Sequence, residues 1–216
     1  MPACAAGNRC RARVRDSYRT IEENNMAMQV TRDRYAALSI AAHWLTLLLL
    51  IAVYALIELR ELYPKGSDPR EAMKAWHFML GMTVFGLVGI RLLLRLLFRA
   101  PPITPQPPTW MRFLASAVYV ALYAFLIVMP LLGWLALSAQ GKAIPFFGLE
   151  LPPLIGPDKT LGGEFEDIHE TIGTVGYYLV GLHAAAALFH HYFMGDNTLL
   201  RMLPGRGKRP AMRGQA

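Results

Sequence analysis

Four long apolar runs, at about residues 37–59, 78–98, 113–137 and 171–194, leave this chain little choice of fold. Each approaches or exceeds the ~20 residues a helix needs to cross ~30 Å of hydrocarbon. The runs are continuous rather than alternating, which argues against a spanning barrel. A helix satisfies every backbone N–H and C=O from within the segment. Composition agrees, since 17% of the 216 residues are charged, where soluble domains carry about 25%. The first run begins too late and is too long for a removable signal peptide. The expectation is an all-α membrane protein, a four-transmembrane-helix bundle over residues 31–203. A disordered N-terminal tail, 1–30, precedes it, and a basic C-terminal tail, 204–216, follows. Met26 and Met28 both precede the better-organised Gln29–Tyr35, which leaves open whether residues 1–27 belong to the native protein, and Cys4 and Cys10, far from any histidine, carry no expected function.

Basic residues orient the bundle. The N-terminal tail, the segment around Arg91–Arg112 and the C-terminal tail hold 16 of the 22 lysines and arginines but five of the 15 acids. Positive charge accumulates on the cytoplasmic side, so both termini and the 99–112 connector are expected there. The net charge of +7 is then a topology signal and needs no nucleic-acid partner. The connector holds Pro101, Pro102, Pro105, Pro107 and Pro108, which exclude helix and favour a stiff, extended path. Span three contains Pro130 and Gly133, where a kink is expected. The outer loop, 138–168, is rich in Pro and Gly and is expected to cap the outer end.

His43, His77, His169 and His183 lie inside or at the edge of these spans. The last two are 14 residues apart on one run, about 21 Å along a helix axis and within about 40° of the same direction. Neutral imidazole is a common axial ligand for haem iron. One helix offering rings at two depths, met by one ring from each of two other helices, makes two bis-histidine sites. Topology pairs them. Span one enters from the cytoplasm and meets His43 early, whereas spans two and four enter from outside and meet His77 and His169 early. Equal depth pairs His77 with His169 toward the outside and His43 with His183 toward the cytoplasm. Gly81, Gly173 and Gly176 fall on or near the ligand-bearing faces, and a missing side chain there leaves room for a flat macrocycle.

Other polar residues have roles to fill around such sites. Arg91, near the inner end of span two, can pair with a haem propionate. Arg95 can do the same or anchor the helix among headgroups. His190 is seven residues past His183, about 10 Å nearer the cytoplasm, too far to share its iron. It suits a quinone head group, as hydrogen-bond partner or proton donor, or equally an interfacial histidine reaching out to water. Arg60, Lys74, Lys142 and Lys159 on the outer face are attractors for an anionic substrate or ordinary solvated charges.

Three segments carry a family resemblance. They are Ile40-Ala41-Ala42-His43-Trp44-Leu45, the run Val88-Gly89-Ile90-Arg91-Leu92-Leu93-Leu94-Arg95, and Gly181-Leu182-His183 continuing through His190-His191-Tyr192-Phe193. The ending Asp196-Asn197-Thr198-Leu199-Leu200-Arg201-Met202 adds to them. Over roughly residues 29–205 the chain resembles the bacterial cytochrome b561 family. The resemblance implies a multi-pass inner-membrane protein with two haem b, closest to members that oxidise superoxide on the periplasmic side and pass the electrons to ubiquinone. It implies the lipid bilayer as environment, superoxide and ubiquinone as substrates, and no obligatory protein partner. The rival reading is a cytochrome b anchor subunit carrying electrons between quinone and a dehydrogenase or hydrogenase. A non-redox alternative is a transporter-like bundle with histidine proton relays.

Overall fold

The structure, a computed structural model, describes residues 34–204. The expectations for the tail 1–30, for both cysteines and for the C-terminal tail beyond residue 204 lie outside the described residues.

Four helices carry the architecture: α1 (Ala37–Leu59), α2 (Asp68–Leu97), α3 (Thr109–Ala139) and α4 (Lys159–Tyr192). All four are long and apolar enough to cross a membrane. A 3-10 turn, Arg60–Leu62, leads out of α1. Helix α2 starts with Pro69 in its first turn and Asp68 and Glu71 beside it, a composition that suits free N–H groups and the positive end of the dipole. Helix α3 continues unbroken through Pro130. The proline-rich connector between α2 and α3 is non-helical, as its composition requires.

Two departures from expectation concern the loop end of the bundle. The outer loop spans 140–158, not 138–168, because α4 begins at Lys159. Asp158 caps it, its carboxylate accepting from the N–H groups of Thr160 (3.0 Å) and Leu161 (3.1 Å). Glu164, Glu166 and Asp167 are exposed on this first part of the helix, so hydropathy alone stops short of its true start. Within the loop, a two-residue hairpin pairs strand β1 (Pro145–Phe146) with β2 (Leu149–Glu150). Its tip, Phe147 (φ 47°) and Gly148 (φ 84°), has the double positive φ of a tight hairpin turn. Ile144, 1% exposed, plugs against Phe78 and Met82 of α2, so the loop does close that end. Trp134 Nε1 donating to Pro152 O (3.0 Å) ties the loop to α3.

Helix α1 packs on α2, α3 packs on α4, and α2 meets α3, whereas the backbone of α4 keeps its distance from both α1 and α2. Val84 and Val88 of α2 and Phe125 and Leu126 of α3 form the buried centre. Large apolar side chains point outward along all four helices, among them Leu48, Leu96, Phe113 and Tyr178. In water such a surface would drive aggregation; in lipid it is the solvated face.

The width between α4 and its neighbours is bridged by side chains at Gly176. A β-carbon there would run into the Tyr54 hydroxyl and the Phe125 ring. The room expected at Gly176 for a macrocycle is therefore filled by these two rings. Gly176→Leu should overpack this notch and cost about 1–3 kcal/mol. Gly181→Leu, where a β-carbon meets nothing, should cost far less. Thermal unfolding in detergent measures both, and equal losses would contradict the notch.

Candidate functional site

Where α4 stands off from α1 and α2, imidazoles reach across. His77 and His169 approach with ring centres 6.1 Å apart and planes at 76°. His43 and His183 approach with ring centres 6.2 Å apart and planes at 66°. An imidazole nitrogen sits about 2.0 Å from a bound metal and about 1.1 Å from its own ring centre, so two rings on opposite sides of one ion have centres about 6.2 Å apart. Both separations suit one shared ion.

Hydrogen bonds set the first pair further. His77 Nδ1 lies 2.9 Å from Val53 O, and His169 Nδ1 lies 3.1 Å from Met129 O. A carbonyl oxygen only accepts, so each Nδ1 carries the proton and donates it. Each Nε2 then keeps its lone pair for a metal, the arrangement in which ligating histidines are usually held. Gly133 lies beside His169, where a β-carbon would stand at the ordinary contact distance of 3.5 Å from its Cε1.

Both rings line a cavity of about 310 Å³ between the four helices. That volume is in the range of small-molecule and cofactor sites. Its walls are largely apolar, with Leu50, Val53, Ile57, Val84, Leu126 and Met129, and Gly81 and Gly173 leave it open on the helix faces expected to do so. Tyr54 and Tyr177 close one side, their ring centres 4.2 Å apart. Tyr54 donates to Gly173 O (2.8 Å) and Tyr177 to Glu58 Oε1 (2.7 Å). An apolar cavity flanked by two metal-ready imidazoles fits a flat, largely apolar iron macrocycle.

The second pair has different neighbours. Arg91 Nη2 lies 3.2 Å from His43 Nδ1, and its guanidinium sits 5.8 Å from the centre of the Tyr123 ring. A guanidinium has only donors, so His43 Nδ1 accepts and the ring's N–H falls on Nε2 in this arrangement. Arg91 thus contacts the ring itself. Arg95 stacks on Tyr119 at 4.0 Å.

The remaining expected residues separate into ends. His190 lies one α4 turn-pair beyond His183, with Nδ1 2.6 Å from Asp196 Oδ2. Asp196 is buried, and its other oxygen accepts from Thr198 N (2.9 Å). Burial alone pushes the Asp196 carboxyl up, but the hydrogen bonds from Thr198 and His190 outweigh it and hold the carboxyl below its ordinary range. At the opposite end Arg60 lines the cavity, next to Glu61 (3.0 Å) and Glu170 (3.8 Å). Lys74 is paired with Glu71 (2.7 Å). Tyr54, Tyr177, Asp196 and Arg201 are polar neighbours of the site region that the spacing argument did not single out. A glycine directly before Asp196, at the end of a run carrying His190, was the available signal for one of them.

The sequence matches the family described as prokaryotic cytochrome b561 over residues 34–205. It is 39% identical over 174 residues to cytochrome b561 homolog 1 of Escherichia coli K12, covering 81% of this chain and 99% of that protein. It is 37% identical over 171 residues to a Yersinia pestis protein named probable superoxide oxidase CybB, covering 79% and 96%. Cytochrome b561 homolog 2 of E. coli K12 is 29% identical over 179 residues, covering 82% and 95%.

Asp196 offers a pH test. Its carboxyl is depressed on folding, so its stabilisation is present above the unfolded value of about 3.9 and is lost as pH falls through the lower folded value. Asp196→Asn should therefore destabilise the protein at neutral pH, and the gap from wild type should shrink below about pH 4. Chemical unfolding across that range checks it, and a gap independent of pH would contradict the hydrogen-bonded Asp196 carboxylate.

Proposed function

The chain belongs to the prokaryotic cytochrome b561 family, whose members are four-helix haem-binding membrane bundles, and from that premise we propose that it is a superoxide:ubiquinone oxidoreductase with two haem b. Two superoxide anions are oxidised to dioxygen on the periplasmic side of the bacterial inner membrane, and one ubiquinone with two cytoplasmic protons becomes ubiquinol. The observation that carries the reading is the presence of two imidazole pairs, 6.1 and 6.2 Å between ring centres, at two depths of one bundle. The Yersinia relative supplies the substrate class through its name.

His77 and His169 would hold one haem iron and His43 and His183 the other, each through Nε2. Haem supplies reversible one-electron exchange when bound, and the protein's part is ligation, placement and local electrostatics. The Val53 and Met129 carbonyls hold Nδ1 of the two imidazoles, and would leave each Nε2 free for iron and raise its basicity. Ligation through His43 Nε2 requires the proton on Nδ1, which releases Arg91 for another acceptor. A haem propionate is the natural one. Arg60, on the cavity wall, is the cation best placed to draw a small anion toward the outer pair. The termini and the proline-rich connector are cytoplasmic, by the distribution of arginine.

Quinone reduction belongs to the end carrying His190. With Nδ1 turned to Asp196, His190 has Nε2 available to deliver a proton to a quinone oxygen and to recover it from the cytoplasm. The large apolar side chains exposed on all four helices suit a lipid-soluble substrate.

Stopped-flow mixing tests the substrates. Superoxide should reduce the purified protein faster than it disproportionates, and a ubiquinone analogue should reoxidise it; reduction no faster than spontaneous dismutation would reject the donor. The ligand sets are tested separately. His77→Ala and His169→Ala should each remove the same haem and leave the other, whose reduced spectrum disappears instead in His43→Ala and His183→Ala. Loss of different haems from His77→Ala and His169→Ala would contradict the pairing.

A further inference from the structure

Beyond α4 the chain turns at Gly195 (φ +64°) and folds back as a hook toward the start of α1. Asn197 fastens the hook to the connector, its N–H donating to Thr104 O (3.2 Å) and its Oδ1 accepting from Thr104 N (3.0 Å). At the far side, Tyr35 N donates to Arg201 O (3.3 Å), and Trp44 Nε1 donates to Met202 O (2.7 Å). Trp44 in turn meets the ring of its neighbour His43 edge to face, centres 5.8 Å apart. The hook is thus fixed to the turn of α1 that presents His43.

Arg201 ends the hook as a buried cation, 6% exposed. Its guanidinium lies 5.2 Å from the Tyr35 ring centre, and Nη2 donates to the Tyr35 hydroxyl (3.0 Å). Nε and Nη1 are buried and have no hydrogen-bond partner among the described residues. No described carboxylate stands within ion-pair distance of Arg201. A guanidinium taken out of water without an anion is strongly unfavourable, so donors left in this state point to an oxyanion. The haem carboxylates are the anions that the proposed function brings to this end of the bundle, whereas a lipid phosphate offers the same chemistry from outside.

We propose that Arg201, through Nε and Nη1, anchors a carboxylate of the haem held by His43 and His183, a role that rests on the reading of that pair as a haem site. Arg201 is a positioning residue on this view. It holds the macrocycle's polar edge, and the C-terminal hook is part of the cofactor site.

A chemical double cycle tests it. In full-length protein carrying His77→Ala, so that the inner haem alone remains, haem release to excess apomyoglobin is followed for haem b and for its dimethyl ester, which lacks both charges. Arg201→Met should speed release of haem b at least tenfold, with Arg201→Lys in between. The ester should leave wild-type and Arg201→Met proteins at the same fast rate. If Arg201→Met leaves release of haem b unchanged, or speeds haem b and its ester alike, the anchor is wrong and the residue is structural. Retention of ester and haem b alike by Arg201, with phospholipid phosphate lost from Arg201→Met, would assign the donors to lipid and overturn the proposal. Absence of haem from both the His77→Ala and the His43→Ala proteins would reject the haem reading itself, and the anchor with it.

Discussion

The site depends on α4 standing away from α1 and α2 by the length of two facing imidazoles. Close helix packing would erase such a gap, because dispersion favours contact wherever side chains allow it. Here the gap is held by what fills it. Tyr54 and Phe125 occupy the notch at Gly176, which is seven residues from His169 and seven from His183. At the loop end, Gly162 lets α4 approach α3 so closely that a β-carbon would fall 2.8 Å from Gln140 Cγ. Close contact at one end, a wedge in the middle and a folded hook at the other keep the rings opposed at both depths.

The spanning helices were legible because lipid leaves the backbone one economical answer, and four apolar runs state it directly. The depth of each histidine followed from helix rise and chain direction, and the structure brings together the rings that share a depth. Other features had no residue signature. The carbonyls of Val53 and Met129 orient two imidazoles, and any residue type carries a carbonyl. The start of α4 was hidden by Glu164, Glu166 and Asp167, which face outward on a helix that extends past the apolar run. Gly176 illustrates a limit of reading glycines by face, since its missing side chain admits two protein rings. Arg201 meets Tyr35 across 166 positions of sequence, through a hook whose path local pattern does not encode.

The two ring pairs have contrasting surroundings. Carbonyl acceptors and an apolar cavity surround His77 and His169, with Glu58, Glu61 and Glu170 gathered around Arg60 at its edge. Arginine dominates near His43, through Arg91 on the ring and Arg201 in the hook fixed beside Trp44. Arginine at this end agrees with the charge asymmetry of the whole chain, in which basic residues gather toward the termini and the connector. One distribution of charge can thus favour one orientation in a bilayer and supply partners for anionic groups at the end that carries His43.

Cofactor stoichiometry tests the central claim most directly. Haem extracted as the pyridine haemochrome from purified, full-length protein should amount to two b-type groups per chain, both low-spin by electron paramagnetic resonance as two imidazole ligands require. A single haem per chain, or a high-spin signal from a site with one ligand, would contradict the double bis-histidine arrangement.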